Sequence, residues 1–493
     1  MPELVEHRCQ FEQCEKSVLG YFAICEYCLE ARCHRLNKLK YHKCKEVNKI
    51  RKDYDEFIRR KREMYDASQR KYFQSVLDQL RQYHHHFIQE LEHIRAGHTC
   101  SLTIPENVDK FIDATVGAVS TFISSLPSMM RSNVIQSEVA TLNVLKQEDI
   151  PVPQAYLPMH LKQQESSHGV PPFDYFYYDF MQGNPSKITR GYLGPIELPD
   201  DKLRDFILQY AKVQISLSNL KLPYKTIGCI YPSTGSENGT GTTTGPIVAR
   251  GCFMQPTPPY LLGPFNTNKD RYLAHIDAAL HYIKRKALQN LGIDEYLWHL
   301  ELRELVSASK ELAEDPGQLY IRHDDQKGDH LMVDDRGEVI GILDWEWAYV
   351  TTKAEAFSAP FIFNRTASYI FEGSNAMTKE EEILMDVYGQ LGRTDLAECV
   401  RRGRLYNRLE RIGQYDPAYS KSGFREVFAD DIPPDFDPPK DDVDWRVYMM
   451  QRYKDDEGLK EVMKDFEVTL EKAEAEAEEW HAKRKRKEEG STT

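Results

Sequence analysis

Residues 319–348 read LYIRHDDQKGDHLMVDDRGEVIGILDWEWA. An apolar run, Leu319–Ile321, precedes a polar loop, His323–Asp329. A second apolar run, Leu331–Val333, leads through a turn at Asp335-Arg336-Gly337 into a third, Val339–Leu343. Short apolar runs punctuated by turn residues predict three strands, the last two joined as a tight hairpin. The hairpin delivers Asp344, and the loop carries Asp324, Asp325 and Asp329, so acidic side chains collect at the ends of two strands. Such an arrangement suits magnesium and phosphoryl transfer. One carboxylate takes the proton of an acceptor hydroxyl, and another holds the metal that bridges nucleotide phosphates.

His323-Asp324-Asp325 followed at this distance by Asp344-Trp345-Glu346 resembles the aminoglycoside phosphotransferase family, the kinase-like small-molecule phosphotransferases, in its fungal form. That family carries His-x-Asp-x4-Asn, a hairpin, and then a metal-binding Asp. The resemblance implies that Asp325, with His323 in the same catalytic loop, is the catalytic base. It implies that Asp344 binds Mg2+ and that ATP donates its γ-phosphate to a small-molecule acceptor. One position departs from the pattern: the place of the Asn falls on His330. Imidazole is a poorer magnesium ligand than a carbonyl oxygen. Asp329 takes that place if the loop shifts by one residue. The run Lys327-Gly328-Asp329-His330 is similar to the loop of a fungal subset of the family.

The resemblance extends outward over roughly residues 131–415. Ser137 to Leu142, then Ile150-Pro151-Val152-Pro153, look like the family's helix-then-strand segment. Glu138 would be the helix glutamate that pairs with a strand lysine or arginine at the nucleotide site. Tyr175 to Gly183 looks like the hinge strand. Leu203–Ile227, Gly263-Pro264-Phe265 and Ala354–Pro360 also fit the pattern. The implied fold is α+β: a protein-kinase-like two-lobe architecture with a partial N-lobe over 99–180 and a helical C-lobe over 181–415. The N-lobe departs from the family. Between Ser101 and Ser137 lie one lysine, Lys110, one arginine, Arg131, and one glycine, Gly117. Cys100 to Ile104 reads as a strand but presents no basic residue. The sheet that roofs the nucleotide is shortened or missing. Two readings stay open: a catalytically inactive pseudokinase scaffold, or a gene model lacking an exon.

Six of the ten cysteines fall within the first 44 residues. Cys9, Cys14, Cys25, Cys28, Cys33 and Cys44, with His34 and His42, make eight candidate ligands, enough for two tetrahedral zinc sites. So short a segment cannot bury a core that offsets its chain entropy, so metal would supply the folding energy. Residues 1–48 resemble the small cross-brace zinc fingers of stress-associated proteins, which implies two interleaved ligand sets. One would be Cys9, Cys14, Cys33 and a histidine; the other Cys25, Cys28, His42 and Cys44. The family's histidine position holds Leu36, so His34 is the substitute and His7 a second candidate. Such a finger implies a protein partner.

Residues 49–98 read as a basic helical connector, with Phe73, Val76, Leu77, Leu80, Phe87 and Leu91 at helix spacing. His84-His85-His86 point in different directions on a helix and cannot share one ion. Ser233 to Gly245 is rich in Gly, Ser and Thr and reads as a surface loop. Residues 416–493 read as an acidic, Pro-rich linker followed by a charged helix ending in Lys483-Arg484-Lys485-Arg486-Lys487, a candidate nuclear-localisation patch. Lys plus Arg total 64 against 77 Asp plus Glu, a net charge of −13. That balance argues against general nucleic-acid binding through phosphates. No apolar run approaches the roughly 20 residues of a membrane span. A cytoplasmic chain, with the nucleus as the alternative, is the expectation.

Overall fold

The computed structural model describes two short strands near the N-terminus and most residues from 67 to 490. It leaves out 1–22, 25–30, 33–66, 109–127, 159–170, 187–195, 234–240, 249–260, 287–291, 413–420, 491–493 and some scattered positions, including 326, 327 and 329. Helix and strand are mixed. The chain divides into two compact units, 1–135 with 156–177, and 136–155 with 178–493. No helix among the described residues is long and apolar enough to cross a membrane.

In the first unit β1 (Ala23–Ile24) pairs antiparallel with β2 (Ala31–Arg32). All eight predicted zinc ligands lie outside the described residues, as do Lys110 and Gly117. The helical spacing is realised over 73–82 and in α1 (His84–Ile94), with Leu77 and Phe87 buried. Glu90 shares that buried face. It accepts hydrogen bonds from the hydroxyls of Tyr175, at 2.7 Å, and Tyr177, at 2.8 Å. The helix read as a connector is therefore packed on residues 175–177 of its own unit. His86 Nε2 lies 3.0 Å from the Tyr175 hydroxyl, and His84 meets His85 edge to face. The strand expected at Cys100–Ile104 is not formed. Side chains of the preceding helical residues bond the backbone at and just after this stretch instead: Glu92 accepts the Cys100 N–H, and Arg81 donates to the carbonyls of Pro105 and Glu106.

Helix α2 (Ser128–Gln147) carries the chain toward the second unit, as read. The strand expected at Ile150–Pro153 begins later, as β3 (Ala155–Tyr156), paired with β4 (Tyr177–Tyr178). Two prolines remove N–H donors from the earlier stretch. The Pro151 carbonyl instead accepts the Ile342 N–H at 2.8 Å.

The second unit builds outward from short antiparallel pairings. β5 (Asn184–Pro185) is followed by α3 (Asp200–Ser218), then by β6 (Cys229–Pro232) paired with β7 (Thr242–Gly245). β7 lies inside the stretch read as loop. Its β-branched threonines suit a strand, and Thr242 and Thr244 exchange hydrogen bonds with the hydroxyls of Tyr224 and Thr226. Helices α4 (Asn268–Lys284) and α5 (Ile293–Ala308) precede four strands: β8 (Tyr320–Arg322), β9 (Leu331–Val333), β10 (Val339–Ile342) and β11 (Tyr349–Thr351).

The C-terminal stretch read as linker and exposed helix is largely docked. In α6 (Asp442–Arg452), Trp445, Met449 and Met450 are buried in one cluster with Ile276 of α4 and Leu297, Leu300 and Val306 of α5. Leu459 and Val462 of α7 (Glu457–Asp465) join it. Even the Pro-rich segment contributes buried Phe436. Burying side chains of this size contributes about 1.5–3 kcal/mol each. Polar anchors fix the docking. Glu301 on α5 accepts a forked pair of hydrogen bonds from Arg425, at 2.6 and 3.0 Å, and one from Trp445 Nε1 at 2.6 Å. The charged helix α8 (Leu470–Gly490) keeps the expected character: from Glu471 to Arg486 its residues are mostly exposed, with Ala473 and Ala477 buried.

Candidate functional site

β8 pairs antiparallel with β11, Ile321 opposite Val350, and its last residue is Arg322. β9 and β10 form the expected hairpin, with β5 on the other edge of β9. Asp334 closes its turn by accepting the N–H groups of Arg336 and Glu338, both at 2.9 Å. These bonds, led by that of Glu338, hold its carboxyl below the usual range.

His323 joins the two acidic loops. Its Nε2–H donates to the Leu343 carbonyl at 2.8 Å, and the Leu343 N–H donates to the His330 carbonyl at 2.9 Å. The end of β10 is thus held by the loop that follows β8. Burial pushes the His323 imidazole below its ordinary pKa, against the pull of Asp325, Asp344 and Asp324 nearby. A neutral ring with its proton on Nε2 results, and the buried Nδ1 finds no partner among the described residues. The Asp325 N–H bonds the His323 carbonyl at 3.0 Å across Asp324, whose φ is +64°.

Asp344 follows at φ +59° and is exposed. A single 3-10 turn comes next, in which Trp345 and Trp347 are both buried, and Trp345 Nε1 donates to the Ile342 carbonyl at 3.2 Å. Both tryptophans are packed into the interior. They anchor the turn whose first residue is thrown out into solvent.

Glu138 on α2 meets this turn. The family resemblance gave it a basic partner on a strand, and no such ion pair is formed among the described residues. Glu138 instead accepts the Trp345 N–H and lies beside Glu346 and Asp344. Burial, then these two like charges, push its carboxyl well above the usual range. Tyr178 is raised by burial and by the same Asp344 and Glu138.

His330 is buried. Its ring centroid lies 4.3 Å from that of His323, and its Nδ1 accepts the Gly328 N–H at 3.3 Å. Asp329 lies outside the described residues. Among the described residues no three Cys, His, Asp or Glu side chains converge to hold a metal. Excess negative charge around an exposed Asp344 still fits a hard cation that keeps most of its waters and binds through one or two carboxylates plus phosphate oxygens. Two participants were not assigned from sequence. Glu346 was visible only as a motif letter. Arg322, whose Nε donates to Asp324 Oδ1 at 3.2 Å, falls between the strand and the loop read from sequence and received no role there.

No protein-family model matches the chain, and no curated protein matches it. Among solved structures it is similar to the macrolide 2'-phosphotransferase of Brachybacterium faecium, solved as the apoenzyme. The two are 14% identical with a TM-score of 0.29, over 64% of this chain and 83% of that one.

Proposed function

We propose that the chain is a kinase-like phosphotransferase of the fungal aminoglycoside phosphotransferase type, moving the γ-phosphoryl group of ATP to a small-molecule hydroxyl. The observation that carries this reading is the hydrogen bond from His323 to the Leu343 carbonyl. It ties the loop of Asp325 to the turn of Asp344, and both carboxylates lie near enough to act on the one imidazole. In this reading Asp325 takes the acceptor's proton as its oxygen attacks, and His323 positions the loop. Asp344, with Glu346 and Glu138 beside it, would hold magnesium. Bound Mg-ATP would supply the phosphoryl group and neutralise its developing charge.

Calorimetry with Mg-ATP tests this. Binding should require magnesium and weaken at least about tenfold in Asp344→Asn, a loss expected when a charged ligand to the metal becomes neutral. Asparagine is chosen because it tolerates the left-handed backbone at this position. Binding that ignores magnesium, or that the variant retains in full, overturns the proposal.

A second reading is favoured by His330, buried against His323 where the family's Asn would hold a second cation. The chain is then a catalytically inactive scaffold that binds Mg-ATP weakly or not at all and acts through a partner of its N-terminal segment. Both readings include zinc held by Cys9, Cys14, Cys33 and His34, and by Cys25, Cys28, His42 and Cys44. Their support is the donor chemistry and spacing of the sequence. Elemental analysis should return about two zinc ions per chain, one per four-ligand site. A value near zero in protein purified without chelator removes zinc from both readings.

A further inference from the structure

We infer that Arg322 and Asp324 form a latch that holds the backbone turn presenting Asp325, with Arg322 as a positioning residue. The inference deepens the phosphotransferase reading and rests on it for the role of Asp325.

The turn itself is strained. The hydrogen bond from the Asp325 N–H to the His323 carbonyl closes a three-residue turn, and its central residue, Asp324, sits at φ +64°. The positive-φ form of this turn is rare, and a residue with a Cβ pays for it in steric contact with its own carbonyl. Glycine would sit there freely. Something must therefore hold an aspartate in place, because relaxation to negative φ would swing Asp325 away from His323.

Arg322 supplies that hold. Its Nε–H donates to Asp324 Oδ1 at 3.2 Å, so the carboxylate at the strained position is pulled back over the preceding residue. The guanidinium cannot follow a movement of Asp324. It is buried, and its Nη1 donates to the Glu355 carbonyl at 2.5 Å and to Ser358 Oγ at 2.9 Å. Glu355 is itself fixed, accepting hydrogen bonds from Arg271 (2.8 Å) and from the hydroxyls of Tyr272 and Tyr349 (2.9 Å each). A rigid line thus runs from the Glu355 cluster through Arg322 to Asp324, and it ends by setting the direction of Asp325.

Three substitutions at position 324 read the latch without touching Arg322 or Asp325. Asp324→Asn keeps an Oδ1 acceptor and a residue type that accepts positive φ. Asp324→Gly loses the acceptor but also the strain. Asp324→Ala loses the acceptor and keeps the strain. The latch therefore ranks alanine as the damaging change, with asparagine and glycine close to each other. The first readout is hydrogen exchange of the peptide covering 319–326. Alanine should speed it at least about tenfold relative to glycine, a coupling typical of neighbouring groups in one network. The second is phosphate transfer from Mg-ATP, where alanine should lower kcat with KM for ATP held.

A glycine variant as damaged as alanine would mean that the carboxylate matters for its charge, and the latch falls. An alanine variant that exchanges as slowly as glycine removes the latch as well. Should the wild-type chain transfer no phosphate, the phosphotransferase reading fails on its own, and the exchange ranking still decides the latch.

Discussion

Asp325→Asn is expected to lower kcat for phosphate transfer from Mg-ATP by about 10²–10⁴-fold while moving Mg-ATP affinity by less than about threefold, the signature of a group that acts on a proton in the transition state. Asparagine has the size of aspartate and leaves the backbone N–H free to bond the His323 carbonyl, as it does at 3.0 Å in the native turn. What it lacks is a basic oxygen for the acceptor's proton. Phosphoryl transfer otherwise depends on positioning and charge neutralisation, which this substitution leaves to Asp344 and its neighbours. The two aspartates should therefore separate cleanly. Asp344→Asn should lose nucleotide affinity, and Asp325→Asn should keep affinity and lose turnover. An Asp325→Asn enzyme with native kcat would move the base to another residue and end the assignment.

The parts of this site that were legible in the sequence are local ones. Alternation of short apolar runs with Asp-Arg-Gly placed β8, β9 and β10 to within a residue or two, and the hairpin put Asp344 at its exit. Local pattern could not supply partners. The Glu355 cluster joins residues 271, 272, 322, 349 and 355, and no spacing rule connects them. Glu138 was given a basic partner by family resemblance and met two carboxylates, because the partner of a helix side chain is set by what packs over it. The C-terminus misled for a related reason. Composition marks Asp430 to Pro439 as a linker, yet α5 is buried at Tyr296, Leu297, Leu300, Leu302, Leu305 and Val306, on most of its circumference. Apolar residues that point to all sides of a helix, here interspersed with charged ones, must be covered on every side. Read that way, the run Tyr296-Leu297-Trp298 through Leu305-Val306 demanded additional helices, and α6 and α7 are the ones that answer.

Glu355→Ala should be the most destabilising single change in this region, with a loss of about 3–5 kcal/mol, the scale of breaking a buried ion pair from one side. The carboxylate is buried among donors: Arg271, Tyr272 and Tyr349 on Oε1, and the Thr351 hydroxyl on Oε2. Burial alone would raise its pKa, but Arg271 and then Arg322 outweigh that and hold it below the usual range. Its contribution is therefore complete above the unfolded carboxylate's pKa and is lost as pH falls through the lower folded value. Alanine leaves the Arg271 guanidinium buried over the Tyr349 ring, 4.3 Å from its centroid, with its carboxylate gone. Most of the cost is that stranded charge, not the lost attraction. Arg271→Met combined with Glu355→Leu removes both charges and should therefore lose less than Glu355→Ala does alone. Urea unfolding of the single and double variants measures this directly. Equal losses would mean that the cluster acts by packing and that its charges contribute little. The same single variant keeps the backbone carbonyl that accepts from Arg322 but loses the side-chain bonds that fix residue 355, so it should also loosen the turn at Asp324. A cluster that holds the fold together would then be holding the aim of Asp325 as well.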